Sequence, residues 1–566
     1  MLEGYGPGFP PLEELMSLEP DEVQQLLLSE PTPELGRYFN SVAFLGDVTS
    51  QRAVALVRFR VIAEYLIALG DLFDRYQGPE RKIVHHLSDT DIAAIRRLAR
   101  DESDIVRAEW IERYTEHDTA AAGDYFKILL GTKLPHLEPM IEGVCFAETS
   151  EDTMGPVFGM IANKVVYGHF VPKMISFILR MLDYVEAVEV DGPLCLPGLT
   201  HEQAAEPTTF GKKVVTNLVA VDTHLRRMIA DGRFIPFPGK FGGAVGNLTN
   251  HFAAYPGIYW RGFARSFIEG LGLTYEEMTF QSGTYALEAS LLTECAHMMT
   301  HVIKLVDDFI DDFIKLASCP GQLFVKRKKP GTKGSSVMPN KSNAWGMEGA
   351  LAMLKRSRAE LFRYAEELPL YPHEGNMGRS YLFRALGGVF MPAFIALDRI
   401  LREMVGDMEK SGYWPNPEKI AAFFAEYPGM AGSSIQTTLK REGIEGDAYR
   451  EIEGISINPD GTYADSEQFA DGLERVMESQ SLSEDVRAEL RLKLNPAHNV
   501  GDADNLSSEH QKILRHNCAV HSEWLQVYQQ PLFWAPPTPR DELNGRPVGR
   551  PQLFLKCYLD IFYRIY

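Results

Sequence analysis

YALEASLLTECAHMMTHVIKLVDDFIDDFIKL, residues Tyr285–Leu316, decides the fold class. Leu292, Met299, Val302, Val306, Phe309 and Phe313 recur at helical spacing and form one apolar stripe. Glu294, Asp308, Asp311 and Asp312 fall elsewhere around the cylinder. Roughly 30 residues at 1.5 Å rise make a rod about 45 Å long. A rod of that length buries its stripe by lying beside others in a bundle, often one shared between subunits.

The text on either side reads the same way. Val54, Val57, Val61, Tyr65 and Leu69 repeat the spacing between Thr49 and Gly70, and helical segments continue through Asp89–Arg100 and Glu102–Phe126. Alternating β-branched runs are few, so the expected class is all-α. Residues 1–133 are expected to form an N-terminal helical domain preceded by an acidic, proline-containing arm. Residues 134–401 form the long-helix bundle. Residues 402–566 form a smaller helical domain whose tail, Trp534–Arg550 and Phe554–Tyr566, is an extension of unassigned purpose. Gly- and Pro-containing stretches at Asp191–Gly211, Ile235–Asn247, Ser318–Asn343 and Leu368–Ser380 read as loops at the bundle ends, where polar chemistry is usually placed.

Charge and cysteine usage narrow the function. The 566 residues include 57 basic and 77 acidic side chains, a formal charge of −20. Such a chain repels a phosphate backbone, so nucleic acid is excluded as a partner, and a phosphorylated ligand needs a local cluster. Six scattered cysteines without a CxxC pair point to a reduced, cytoplasmic protein. MLEGYGPGFPPLEELM has no basic start and no apolar core, and no uninterrupted apolar run suggests a membrane span.

The chemistry is concentrated in GSSVMPNKSN, Gly334–Asn343. Glycine frees the backbone, adjacent serines supply hydroxyls, and Pro339 disfavours helix just before it. With Lys326-Arg327-Lys328-Lys329 upstream, such a loop can close over an anion, its N–H groups and Lys341 supplying the positive field. Other patterns carry less. Asp307-Asp308-Phe309-Ile310-Asp311 fits the DDxxD of Mg-dependent isoprenoid synthases, a remote alternative, but has no second metal motif and reads as a solvated acidic face. His297 and His301 stand at i, i+4 without an HExxH glutamate, and His516, Cys518 and His521 are a weak metal signal by spacing. No metal and no cofactor is expected.

GSSVMPNKSN resembles the GSSxMPxKxNP signature of the fumarase/aspartase superfamily, with Ala344 in place of the final proline. Thr149-Ser150-Glu151-Asp152 looks like the TSED of its adenylosuccinate lyase branch, and Thr200–Lys212 is similar to that branch's THGQPATPSTIGK. Further resemblance runs through Gly36-Arg37-Tyr38, Phe59-Arg60-Val61, Glu116-His117-Asp118, Lys240–Asn247 (KFGGAVGN) and Ile435-Gln436-Thr437, covering about Gly36 to Leu494. The resemblance implies a three-domain helical fold and a homotetramer with active sites shared between chains. It also implies β-elimination with release of fumarate, most simply from adenylosuccinate and from the succinyl-carboxamide imidazole ribotide of purine synthesis. By the same implication Ser335 is the carbon-acid base and His201 the general acid. Substrate binding falls to Arg37, Tyr38, His117, Asp118, Thr149, Ser150, Gln281, Lys341, Asn343, Ser380 and Arg384, supported by Lys240, Asn247 and Glu348.

Departures from the branch raise a rival substrate, a different N-substituted succinate. A ligand arginine of the branch is Gly375 here, an asparagine after Glu348 is Gly349, and a histidine before TSED is Cys145. Arg379, about one helical turn beyond Gly375, is the candidate to reach the same anion.

Overall fold

The computed structural model describes residues 33–78, 80–315, 322–327, 333, 335–339, 342–375, 377–407 and 411–530. Gly334, Asn340 and Lys341 of the signature loop lie outside them, as do Trp534–Arg550 and Phe554–Tyr566. The N-terminal part holds α1 (Pro33–Val42), α2 (Gln51–Arg75) and α3 (Asp118–Lys133). Ser50 starts α2 by accepting the Ala53 N–H at 3.2 Å. The stretch expected as one helix, Glu102–Phe126, is two: Glu116 turns left-handed (φ 49°), and the His117 side chain caps the restart by accepting the Ala120 N–H.

The bundle is built from long runs. α4 (Ser150–Asn163), a π-helical segment (Lys164–Phe170) and α5 (Val171–Val188) make one 39-residue rod, about 58 Å long. A hairpin, β1 (Cys195–Thr200) and β2 (Gln203–Thr209), leads into α6 (Phe210–Arg227). Short parallel strands β3 (Pro238–Lys240) and β4 (Thr274–Glu276) precede α7 (Ala286–Phe309). β5 (Phe324–Arg327) enters the signature loop and α8 (Trp345–Glu367) leaves it. α9 (Gly378–Arg384) and α10 (Leu386–Ile400) run on through a π-turn to Val405, and β6 (Gly412–Pro415) pairs antiparallel with β5. The expected stripe on α7 is buried throughout, Leu292, Met299, Val302, Val306 and Phe309 at 1% exposure or less. The 150–188 and 378–405 runs are long and apolar enough to cross a membrane, but 67% of each apolar window is buried inside the bundle, as a core helix requires.

A second, smaller core joins α11 (Gly432–Glu442), α12 (Ala448–Ser456), α13 (Ser466–Ser479) and α14 (Glu484–Leu492) through Ile435, Leu439, Phe469, Leu473 and Met477. The segment after it is not loose: α15 (Ala503–Gln529) returns to the bundle and buries Leu514, Cys518, His521 and Leu525. That 4-3-4 spacing is a helical stripe, so Cys518 and His521 serve packing. Lys164 donates to the Tyr528 carbonyl at 2.8 Å, and Asn517 to Asp222 at 2.8 Å. Each aspartate of the DDxxD text for which a contact is resolved meets a lysine: Asp307 lies 3.3 Å from Lys355, and Asp308 pairs with Lys304. Asp312, one residue on, is 2.6 Å from Lys213. These lysine pairs neutralise part of the acidic face at the helix surface.

Candidate active site

The sequence-predicted residues fall at two opposite ends of the bundle. At the first end, Thr149 caps α4 and its capping box is closed by Asp152. Asp152 is fully buried and accepts from Lys240 Nζ (2.7 Å), Thr149 N (2.9 Å), Gly242 N (2.8 Å) and Gly243 N (3.0 Å). The pair therefore welds the TSED turn to the KFGGAVGN loop. Gly246 is required there: at φ 79°, a Cβ would lie 1.8 Å from the Thr279 carbonyl oxygen. Lys240 is 4% exposed and also donates to the Gly243 carbonyl, so it is a structural support and not a free cation. Asn247, at the end of the same loop, is exposed.

Beside that turn, Asp118 draws two arginines together. Its Oδ2 accepts from Arg58 and from Arg384, each at 2.6 Å, and Arg384 also donates to Ser380 Oγ at 2.9 Å. Burial pushes the Asp118 carboxyl up, but the two guanidinium groups outweigh it and hold it below the usual carboxylate range. Arg58 is 1% exposed and reaches Glu109 with its other nitrogen at 3.3 Å. Sequence reasoning passed over Arg58, although an arginine inside the apolar VALVRFRVIA run was the signal. Gln281 joins the same end, since Gly375 faces its side chain. Asp118, Thr149, Ser150, Gln281, Ser380 and Arg384 thus share one neighbourhood, with Arg384 half-exposed at its rim.

Arg379 does not reach the anion position expected of it. Its helix begins only at Gly378, after Gly375 at φ 110°, so the two residues do not share a helical face. Arg379 is 5% exposed, donates to Glu151 at 2.6 Å and lies between the rings of Tyr285 (4.6 Å) and Phe383 (4.9 Å).

The second end carries His201 and Ser335. His201 and Glu202 are the two turn residues of the β1–β2 hairpin, both left-handed at φ 52° and 62°. A two-residue turn of this kind normally takes Asn-Gly, so the backbone strain holds an exposed imidazole at the tip. Under the turn is a cavity of about 360 Å³ lined by Leu199, Glu202, Lys213, Lys304, Asp308 and Met404. Ser335 Oγ accepts the Met338 N–H at 3.1 Å and the Val337 N–H at 3.4 Å. The loop is anchored at the same end: Lys326 on β5 pairs with Glu403, and Trp345 at the start of α8 stacks under Arg399 at 4.7 Å. Arg399 also donates to Tyr38 Oη at 2.8 Å, which places Tyr38 and its exposed neighbour Arg37 here. Arg37 and Tyr38 are therefore not beside Ser380 and Arg384 within one chain. Asn343 is half-buried and Glu348 exposed on this end, and Lys341 lies outside the described residues.

Three rods keep the ends apart. The 39-residue run separates Thr149 from the His201 hairpin, the 24-residue α7 separates Gln281 from Asp312, and the 28-residue run separates Ser380 from Glu403. At 1.5 Å per residue the first two are about 58 and 36 Å, and the stretch from Ser380 to Glu403 is about 35 Å.

Comparison with known proteins matches residues 80–358 to the family described as Lyase. Adenylosuccinate lyase from Dictyostelium discoideum is 27% identical over 479 residues, 84% of this chain and 97% of that protein. The adenylosuccinate lyase of Escherichia coli K12 is 26% identical over 487 residues, 85% of this chain and 98% of that protein. Among solved structures, 3-carboxy-cis,cis-muconate lactonizing enzyme from Pseudomonas putida is similar at TM-score 0.55 and 18% identity, covering 88% of this chain and 99% of that one. β-Carboxy-cis,cis-muconate cycloisomerase from Acinetobacter calcoaceticus is similar at TM-score 0.56 and 13% identity, covering 85% and 99%. These two likenesses concern the fold.

Proposed function

The chain is a divergent, adenylosuccinate lyase-like enzyme, a lyase of the fumarase/aspartase superfamily, and from that premise we propose that it converts adenylosuccinate to AMP and fumarate by β-elimination. The same C–N cleavage serves the succinyl-carboxamide imidazole ribotide of purine synthesis, in the cytoplasm. The observation that carries the reading is Ser335, whose Oγ already accepts two main-chain N–H groups. A serine hydroxyl is a poor base in water, and N–H donors aimed at its oxygen are what stabilise the anion that abstracts a proton. Ser335, as the alkoxide, takes the Cβ proton. The electron pair passes through a carbanion stabilised by the adjacent carboxylate and forms the C=C bond. The C–N bond then breaks with its pair on nitrogen, and His201 protonates the leaving amine.

Thr149, Ser150, Gln281, Lys341 and Asn343 are assigned to the two carboxylates of the succinyl group. Arg37, Tyr38, Ser380 and Arg384 are assigned to the phosphate, and His117 with Asp118 orients the ligand. Because rods of roughly 35–58 Å divide these residues, one chain cannot gather them, which supports a homotetramer with sites built from several copies. Exchange between His201→Ala protein and Ser150→Ala/Arg384→Ala protein regenerates some intact sites on this reading, and no recovery after verified exchange counts against it. The substrate is tested by fumarate release from adenylosuccinate against a panel of N-substituted succinates. The departures at Gly375, Gly349 and Cys145 favour a second reading, another succinylated amine. Fumarate from a phosphate-free member of the panel, with none from adenylosuccinate, selects it.

A further inference from the structure

The arginine that sequence reasoning offered to the ligand is instead walled in behind the site. Arg379 Nη1 donates to Glu151 Oε2 at 2.6 Å, and its Nη2 stands 4.0 Å from Glu288 Oε1. The guanidinium also lies over Tyr285, Phe383 and Phe158, at 4.6, 4.9 and 5.7 Å from their ring centres. Phe158 belongs to α4 and Phe383 to α9, and the two rings stack at 4.9 Å. Glu151 is the second residue of α4, directly after Ser150, and Arg379 directly precedes Ser380. One buried cation therefore joins the turn that carries Thr149 and Ser150 to the helix that carries Ser380 and Arg384. Glu288, from α7, is 3% exposed, and its Oε2 and the Arg379 Nε are both buried without a hydrogen-bond partner. The clamp is thus incompletely satisfied, in an interior where an unpaired polar atom is costly.

We propose that Arg379 is a positioning residue of the lyase site: held between Glu151 and Glu288, it locks α9 onto the first turn of α4 and so fixes the aim of Ser380 and Arg384. The inference rests on the reading that these two residues hold a substrate anion. The charged groups that face the clamp are Glu151 from α4, Glu288 from α7 and Glu276 from β4. Burial pushes the Glu288 carboxyl up to about 7 against the pull of Arg379. Below that pH Glu288 is neutral, and of the two carboxylates that touch the guanidinium only Glu151 carries charge. Above it Glu288 ionises, and a second carboxylate holds the guanidinium from its other side.

The test reads KM and kcat separately from pH 6 to 8.5, on the full-length enzyme releasing fumarate. Arg379→Lys keeps a charge but not the two-sided fork, and the expected result is a rise in KM of about 10-fold or more with kcat less affected, the signature of misplaced binding groups. Glu288→Gln, which keeps the neutral form, should fold even where Arg379→Lys does not. It is expected to flatten the step in the wild-type KM profile centred near pH 7, KM in the wild type being lower above that pH than below it. An unchanged KM in folded Arg379→Lys, or a Glu288→Gln profile that superimposes on wild type, overturns the proposal. Arg384→Ala serves as the reference: if it leaves KM unchanged, the anion site itself is misassigned and the positioning role falls with it. If Arg384→Ala raises KM while both clamp variants are silent, only the positioning role fails.

Discussion

The two ends of the bundle are built on opposite plans. At the α4 end the charges are mostly buried and answered: Asp152 with Lys240, Asp118 with Arg58 and the half-exposed Arg384, Glu151 with Arg379. At the hairpin end the groups assigned to chemistry are exposed or half-exposed, and they are held by local backbone geometry: a left-handed turn under His201 and two N–H donors on Ser335. Binding needs several side chains at fixed distances, which buried ion pairs supply. Proton transfer needs a group that can approach its substrate from outside, which an exposed loop supplies. The difference makes sense for a site completed when one copy's hairpin end meets another copy's α4 end.

The largest expected effects are therefore catalytic and belong to the hairpin end. Ser335→Ala and His201→Ala should each lower kcat by roughly 10²–10⁴-fold with little change in thermal unfolding, because neither side chain packs the core. A drop in stability as large as that of a core variant would place these groups in the scaffold and erase the contrast.

Stability is where the α4 end should respond. Lys240→Met leaves the Asp152 carboxylate buried, with three main-chain donors but no countercharge, and should cost about 3–5 kcal/mol in denaturant unfolding. A loss under about 1 kcal/mol would mean that the N–H groups alone satisfy Asp152, which is the size expected for one ordinary hydrogen bond.

The helical class was legible in the sequence, the division into two ends was not, and the gaps have physical causes. The α7 stripe was readable because burial on one face of a helix forces a period of 3.6. The signature loop stood out by its composition, but the role assigned to Ser335 came only from the resemblance of GSSVMPNKSN to the superfamily's GSSxMPxKxNP. The pairing of Arg58 with Asp118 spans 60 residues of chain, and no local period announces a partner so distant. Arg379 was misjudged because helical spacing was applied across Gly375, before the helix starts. The return of α15 to the bundle was available in the spacing of Leu514, Cys518, His521 and Leu525, but the resemblance ended near Leu494 and the stripe was not followed beyond it.

Between the catalytic and the structural effects stands Arg384. It is 39% exposed and shared between Asp118 and Ser380, so only part of a charge-assisted contact with a phosphate is gained on binding. Arg384→Ala should weaken AMP binding by about 10-fold, near the low end of what charged hydrogen bonds contribute. Equal affinity in titration calorimetry would remove the phosphate from this end.

The smallest effect tests whether strain at the hairpin is functional or incidental. Glu202 sits at φ 62°, where a side chain costs about 1–2 kcal/mol relative to the right-handed regions and glycine pays nothing. Glycine loses about 0.5–1 kcal/mol of that gain through the greater freedom of the unfolded chain. Glu202→Gly should thus raise stability by up to about 1 kcal/mol while preserving the turn type. Glu202 also lines the cavity beneath the turn, together with Lys213, Lys304 and Asp308. If the strain only presents His201, kcat stays within about two-fold of wild type, since the imidazole keeps its place at the tip. A fall in kcat at raised stability would show instead that the Glu202 carboxylate acts on His201 or its substrate, and would move this residue from the turn's geometry into its chemistry.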